Sequence, residues 1–105
     1  MTYYVTNMDT SFSGRLFNEN IGSWDVSNAT TMANMFSDNA TFNQIIGSWN
    51  VSNVLDMISM FYNVSLFNQD IGSWTVLNIS NVISMFSNAP LFNQNIGIVE
   101  CIIYG

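Results

Sequence analysis

The chain holds little with which to do chemistry. It has seven acidic residues, one basic residue (Arg15), one cysteine (Cys101) and no histidine. Nucleophilic catalysis needs an attacking group beside a base that takes its proton. Cys101 has no histidine to pair with. It lies in the apolar run Ile98-Val99-Glu100-Cys101-Ile102-Ile103-Tyr104, where a buried, inert thiol is the common case. Carboxylates remain for acid–base or metal work, but Asp25, Asp56 and Asp70 fall at different positions of the repeat described below. They therefore make no recurring metal site, and no Gly-Asp calcium nonapeptide is present. The expectation is a protein that is not an enzyme and uses no cofactor.

The recurrent small polar groups are better candidates for function. Ser23, Ser48 and Ser73 recur every 25 residues, as do Asp25, Asn50 and Thr75, and then Ser27 and Ser52, with Leu77 replacing the third serine. Side by side they make a field of hydrogen-bonding groups, read either as a recognition face or as a solvated sheet face. An ice-binding array would want repeated threonines, and only Thr75 is present. Five Asn-x-Ser/Thr sequons, at Asn28, Asn39, Asn50, Asn63 and Asn78, follow from an Asn- and Ser-rich repeat.

The element that positions these groups is a repeat. Phe17-Asn18-Glu19-Asn20-Ile21-Gly22-Ser23-Trp24 returns as Phe42–Trp49 and as Phe67–Trp74, and starts again at Phe92-Asn93-Gln94-Asn95-Ile96-Gly97. A fixed period of this length marks stacked units that cannot bury their apolar residues singly. Residues 1–105 read as one repeat domain: a partial coil over 1–16, full repeats over 17–41, 42–66 and 67–91, and a divergent half-coil over 92–105. Phe12 precedes Phe17 by five residues, whereas Phe36, Phe61 and Phe86 precede the next repeat by six, so the first turn is one residue short.

Within each repeat, Trp24-Asp25-Val26, Trp49-Asn50-Val51 and Trp74-Thr75-Val76 alternate with period two and predict a short strand. The apolar set Val54, Met57, Met60 and Phe61, spaced by three and four, predicts a short α or 3-10 helix. Alternating strands and helices give an α/β solenoid, with one short parallel strand and one short helix or 3-10 turn per 25-residue repeat. Its core columns would be Phe17/Phe42/Phe67/Phe92, Ile21/Ile46/Ile71/Ile96, Trp24/Trp49/Trp74, Val26/Val51/Val76, Met32/Met57/Val82 and Phe36/Phe61/Phe86. The column Asn18/Asn43/Asn68/Asn93 predicts an amide ladder. The column Gly22/Gly47/Gly72/Gly97 predicts either positive φ or close backbone approach.

The pattern Phe-Asn-Gln-Asp-Ile-Gly-Ser-Trp-x-Val-x-Asn-x-x-x-Met-x-x-Met-Phe closely resembles the mycoplasma-type surface-protein repeat, a BspA-like branch of the leucine-rich repeats. The resemblance covers about residues 17–97. It implies a leucine-rich-repeat-like right-handed coil, and an extracellular or cell-surface protein that adheres to or recognises another macromolecule. It carries no catalytic residues. Two departures stand out in residues 1–105: no lipoprotein signal with its lipid-bearing cysteine is seen, Cys101 lying near the wrong end, and the last repeat breaks after Gly97.

Composition narrows the partners. A net charge of −6 argues against nucleic acid, whose phosphates need rows of Lys and Arg, and against anionic membrane surfaces. No apolar run approaches the roughly 18 residues of a membrane span, so no membrane insertion is expected. Charged residues make up only 8% of the chain, and such a surface resists association poorly. The chain starts and stops on half-coils with no charged cap. Head-to-tail self-assembly into a fibre is therefore expected, with Tyr3, Tyr4, Val5, Ile98, Ile102 and Tyr104 as candidate assembly residues. The alternative is a surface module, or a fragment of a longer array, that binds a protein or glycan on the Ser/Asn/Thr face.

Overall fold

Four successive legs of the chain lie over one another at a constant offset. A computed structural model describes residues 5–76 and 78–94. Parallel bridges run Asn7–Thr31, Thr31–Asp56 and Asp56–Asn81. After each bridge, every second N–H donates to the next leg. Met8, Thr10, Phe12 and Gly14 donate to the carbonyls of Thr31, Ala33, Met35 and Ser37. Met32, Asn34, Phe36 and Asp38 donate to Asp56, Ile58, Met60 and Tyr62, and Met57, Ser59, Phe61 and Asn63 to Asn81, Ile83, Met85 and Ser87. The intervening N–H groups mostly turn back on their own leg, as in Met35 to Met32, Ser37 to Asn34 and Asn39 to Phe36.

No helix exists among the described residues, and no strand longer than an isolated bridge. The α/β solenoid with a strand and a helix per repeat, and the right-handed leucine-rich-repeat form it would take, is therefore not the fold. The helical expectation fails for a stereochemical reason. Thr10, Asn34, Ser59 and Ser84 have φ of 53–59°, and four residues on Gly14, Asp38, Asn63 and Asn88 have φ of 56–69°. A left-handed residue at every fourth position stops α-helical hydrogen bonding from propagating. The legs are chains of tight turns with a four-residue period. Two positions in four face inward, so Met32, Met35, Phe36 and Asn39 are all buried, at spacings of three, one and three. A helix with a buried stripe gives the same spacings.

The strand expectation fails because turns occupy its segment. Trp49 N–H donates to Ile46, Val54 N–H donates to Val51, and Asn50 closes a side-chain turn onto Ser52 N–H. Little backbone is left there for a ladder, and side chains join the coils instead. The Trp49 and Trp74 indole N–H groups each donate at 3.0 Å to the carbonyls of Ile21 and Ile46. Asn53 and Asn78 amides donate to the carbonyls of Ser27 and Ser52. The period-two alternation holds all the same, with Trp49 and Val51 buried and Asn50 exposed.

The core columns read from the sequence are buried in the interior coils and only partly covered at the ends, with Trp24 exposed and Ile96 outside the described residues. Phe42, Phe67, Phe36 and Phe61 are fully buried, with Ile46, Ile71, Met32 and Val51 beside them. Full burial of one such side chain is worth about 1.5–3 kcal/mol. The phenylalanines form a continuous pile: Phe36 lies 3.9 Å from Phe42 within a coil and 5.6 Å from Phe61 in the next, with near-parallel rings. The radius of gyration, 12.4 Å, is that of a compact globule.

The amide ladder is present. Asn18 Oδ1 accepts from Asn43 N–H and from the Gln44 amide, Asn43 Oδ1 from Asn68 N–H and Gln69, and Asn68 Oδ1 from Asn93 N–H and Gln94. The glycine column is explained by close approach. A Cβ on Gly22 or Gly47 would stand 2.5 or 2.6 Å from the carbonyl oxygen of Ile45 or Asp70 in the next coil.

Candidate functional site

The polar edge is where the sequence places it, but its side chains are largely engaged. Ser23, Asp25, Ser48, Asn50, Ser73 and Thr75 are exposed, and Ser27 and Ser52 are half-buried. Ser73 Oγ donates to the Gly47 carbonyl at 3.0 Å, and Ser48 Oγ to that of Gly22 at 3.4 Å. Ser52 donates both N–H and Oγ–H to Asn50 Oδ1, and Ser27 does the same to Asp25 Oδ1. The Ser27 hydroxyl, then the Ser27 N–H, hold the Asp25 carboxyl below its ordinary value of 3.8. These groups close turns and join coils. Leu77, the odd member of the third column, lies outside the described residues.

No group of three or more His, Cys, Asp or Glu side chains converges among the described residues. Glu100 and Cys101 lie outside them. Every buried side-chain N or O atom among the described residues has a hydrogen-bond partner. The fully buried amide of Asn39 donates to the Phe17 carbonyl and accepts from Thr41, which ties the second coil to the shortened first turn.

The two ends of the stack differ from its interior. At one end the N–H groups of Val82, Ser84, Phe86 and Asn88 meet no acceptor among the described residues. They are the fourth row of the donor series, and the three earlier rows each meet a full row of carbonyls. At the other end the carbonyls of Asn7, Ser11 and Ser13 accept nothing among the described residues, and that of Asp9 takes only the Thr10 hydroxyl. Apolar columns also end there. Phe86 and Phe92 stack at 4.1 Å on one face and Phe12 and Phe17 at 3.9 Å on the other, and all four are only partly buried. Trp24 is 44% exposed, whereas Trp49 and Trp74 in its column are 4% and 2% exposed.

Of the assembly residues expected from the sequence, Val5 is exposed. Tyr3, Tyr4, Ile98, Ile102 and Tyr104 lie outside the described residues. The donor and acceptor rows were not legible beforehand, because the segment carrying them reads as a helix, which satisfies its own backbone. Asn34 and Asp38, four residues apart, and Asn63 and Asn88 in the column of Asp38 held the missing signal, since Asn and Asp favour left-handed φ.

Among the described residues no helix is long and apolar enough to cross a membrane. No curated protein and no solved structure matches the chain. A family model described as "Mycoplasma protein of unknown function, DUF285" matches residues 1–99. That match carries the mycoplasma part of the resemblance and does not reach the BspA-like leucine-rich-repeat branch. The 25-residue unit belongs to a recognised class of mycoplasma-type sequence, and the chain is a member of the DUF285 family.

Proposed function

We propose that this is a non-catalytic structural and interaction protein, placed outside the cell or at its surface, whose copies join end to end into a fibre-like array. The observation that carries the reading is the pair of unlike end rows that meet no backbone partner among the described residues: donors beside Phe86 and Phe92, and carbonyls beside Phe12 and Phe17. Every interior row of the same kind is paired with a neighbouring coil. Asn7, Ser11, Ser84 and Asn88 are exposed, so each backbone bond made there replaces one to water and nets about 0.5–1.5 kcal/mol; a partner that completes four such bonds and covers four phenylalanines is favoured. Low charge density supports association, while the net charge of −6 opposes it through mutual repulsion. Assembly should therefore strengthen as salt screens that repulsion.

Sedimentation velocity and negative-stain imaging over a range of protein and salt concentrations test this. Particles that lengthen with concentration at constant width are expected. Discrete monomers at the highest concentration would overturn the proposal. Ser11→Lys places an ammonium on the exposed carbonyl row, in the column of the buried residues Met35, Met60 and Met85. It should abolish lengthening, while the lost bond from the Ser11 hydroxyl to the Met8 carbonyl costs the monomer roughly 1 kcal/mol and lowers its thermal midpoint by only a few degrees at high dilution.

A further inference from the structure

We infer that the array is polar and in register: a second copy adds in the same orientation, and its Asn7, Asp9, Ser11 and Ser13 carbonyls accept the N–H groups of Val82, Ser84, Phe86 and Asn88. The inference rests on the end-to-end reading above and specifies its geometry. Three properties of the stack carry it.

The first is hydrogen-bond sign. The Val82–Asn88 row presents donors, and the Asn7–Ser13 row presents acceptors. Two copies meeting through the same face would set four donors against four donors. Two copies meeting head to tail set four donors against four acceptors, at the two-residue spacing used three times inside the chain. Closed two-fold pairing is thereby disfavoured, and open growth is favoured.

The second is backbone shape. Ser84 and Asn88 have φ of 59° and 56°, and Thr10 and Gly14 have φ of 57° and 69°. In the interior such residues lie over one another in columns, Asn34 on Ser59 and Asp38 on Asn63. Ser84 on Thr10 and Asn88 on Gly14 continue both columns at once. A slip by two residues would lay left-handed positions against others and break the match.

The third is the aromatic pile. In that register Phe86 meets the second copy's Phe12 and Phe92 its Phe17. This extends the two columns whose interior spacings are 5.5–6.3 Å between ring centroids.

Site-directed cross-linking tests direction and register together. Ser13, Ser37, Tyr62 and Ser87 share a column, so Ser87 of one copy should lie over Ser13 of the next at about the 4.8 Å strand spacing. That is within the Cα separation of roughly 4.4–6.8 Å that a disulfide bridges. One chain carries Ser87→Cys and a second carries Ser13→Cys, both with Cys101→Ser so that no other thiol is present. Mixed and gently oxidised under assembling conditions, they should give the mixed 87–13 disulfide in large excess over 87–87 and 13–13. A dominant 87–87 or 13–13 product would overturn the polar arrangement while leaving end-to-end assembly standing. Lengthened particles with no cross-link would overturn the register, provided that the second pair, Ser84→Cys with Thr10→Cys, also fails. Monomers alone, with no particles, would overturn the underlying reading as well.

Discussion

Asp9 should hold the first coil to the second, and one substitution should make it dispensable. In three of the four legs the bridge residue caps its own turn: Asn7 Oδ1 accepts Asp9 N–H at 2.9 Å, Asp56 accepts Ile58 N–H at 2.9 Å, and Asn81 accepts Ile83 N–H at 3.2 Å. The fourth bridge residue is Thr31, and it leaves Ala33 N–H to another acceptor. Asp9 in the preceding coil takes that role, accepting from Ala33 N–H at 2.8 Å and from the Thr31 hydroxyl. Ala33 is only 7% exposed, so water cannot readily replace the carboxylate.

Asp9→Ala therefore orphans a buried N–H and a half-buried hydroxyl. An unsatisfied buried donor costs about 1–3 kcal/mol, which places the loss near ~2 kcal/mol. At roughly 4–8 °C per kcal/mol for a domain of this size, the midpoint should fall by about 8–16 °C. Asp9→Asn keeps the acceptor oxygen and should lose less than half as much. Thr31→Asn gives the second leg the cap that the others have. Alone it should change stability by less than about 0.5 kcal/mol. In the Asp9→Ala background it should recover about 1 kcal/mol or more as coupling energy. Urea unfolding followed by tryptophan fluorescence, at a dilution where chains do not associate, measures all four corners of the cycle. Additive costs, with no recovery in the double variant, would refute the account of how the first coil is held.

Two further outcomes follow from the same geometry. Gly47→Ala drives a Cβ into the Asp70 carbonyl at 2.6 Å and should cost about 1–3 kcal/mol through forced separation of the coils. Gly14→Asn, in a column already holding Asp38, Asn63 and Asn88 and with open space around it, should cost less than about 1 kcal/mol by the same urea assay. Asp25 has a folded-state pKa lowered below 3.8 by the Ser27 hydroxyl and N–H. Its contribution is thus present above the unfolded value and is lost as pH falls through the lower folded value. An NMR carboxyl titration should place Asp25 below 3.8 and show Ser27→Ala moving it upward, and a midpoint unmoved by that change would contradict the assignment.

The sequence disclosed the column membership of nearly every core residue, because stacking forces like onto like at a constant interval. It disclosed the Asn18/Asn43/Asn68 ladder for the same reason. It misled on local conformation at two places where different backbones share one pattern. The four-residue turn period of 31–39 and 56–64 places apolar residues at three-and-four spacing, as a helix does. The Trp-x-Val alternation buries every other residue as a strand does, although turns flank it on both sides. Ser59, Ser84 and Thr10 gave no warning of positive φ by residue type. Ser52 bonds Asn50 two residues away, a local turn, but the bond of Ser73 to the Gly47 carbonyl depends on a neighbour that only the folded chain brings near.

Column stacking also accounts for the composition that first set this chain apart. Adjacent coils are about 4.8 Å apart, so two like charges in one column would repel by about 1 kcal/mol even in water and by more near the protein surface. A stack of identical units must then fill most columns with groups that donate and accept without charge, and Asn, Ser, Thr and Gln do so. The six acidic residues of the described part follow the rule: Asp9, Glu19, Asp25, Asp38, Asp56 and Asp70 occupy six different columns. Asp38 meets an amide in its column, where Asn63 donates to it at 2.8 Å. Scattered carboxylates looked at first like the lack of a metal site. They are what a repeating stack requires, and the same neutrality lets an end row accept a further coil, from whatever chain supplies it.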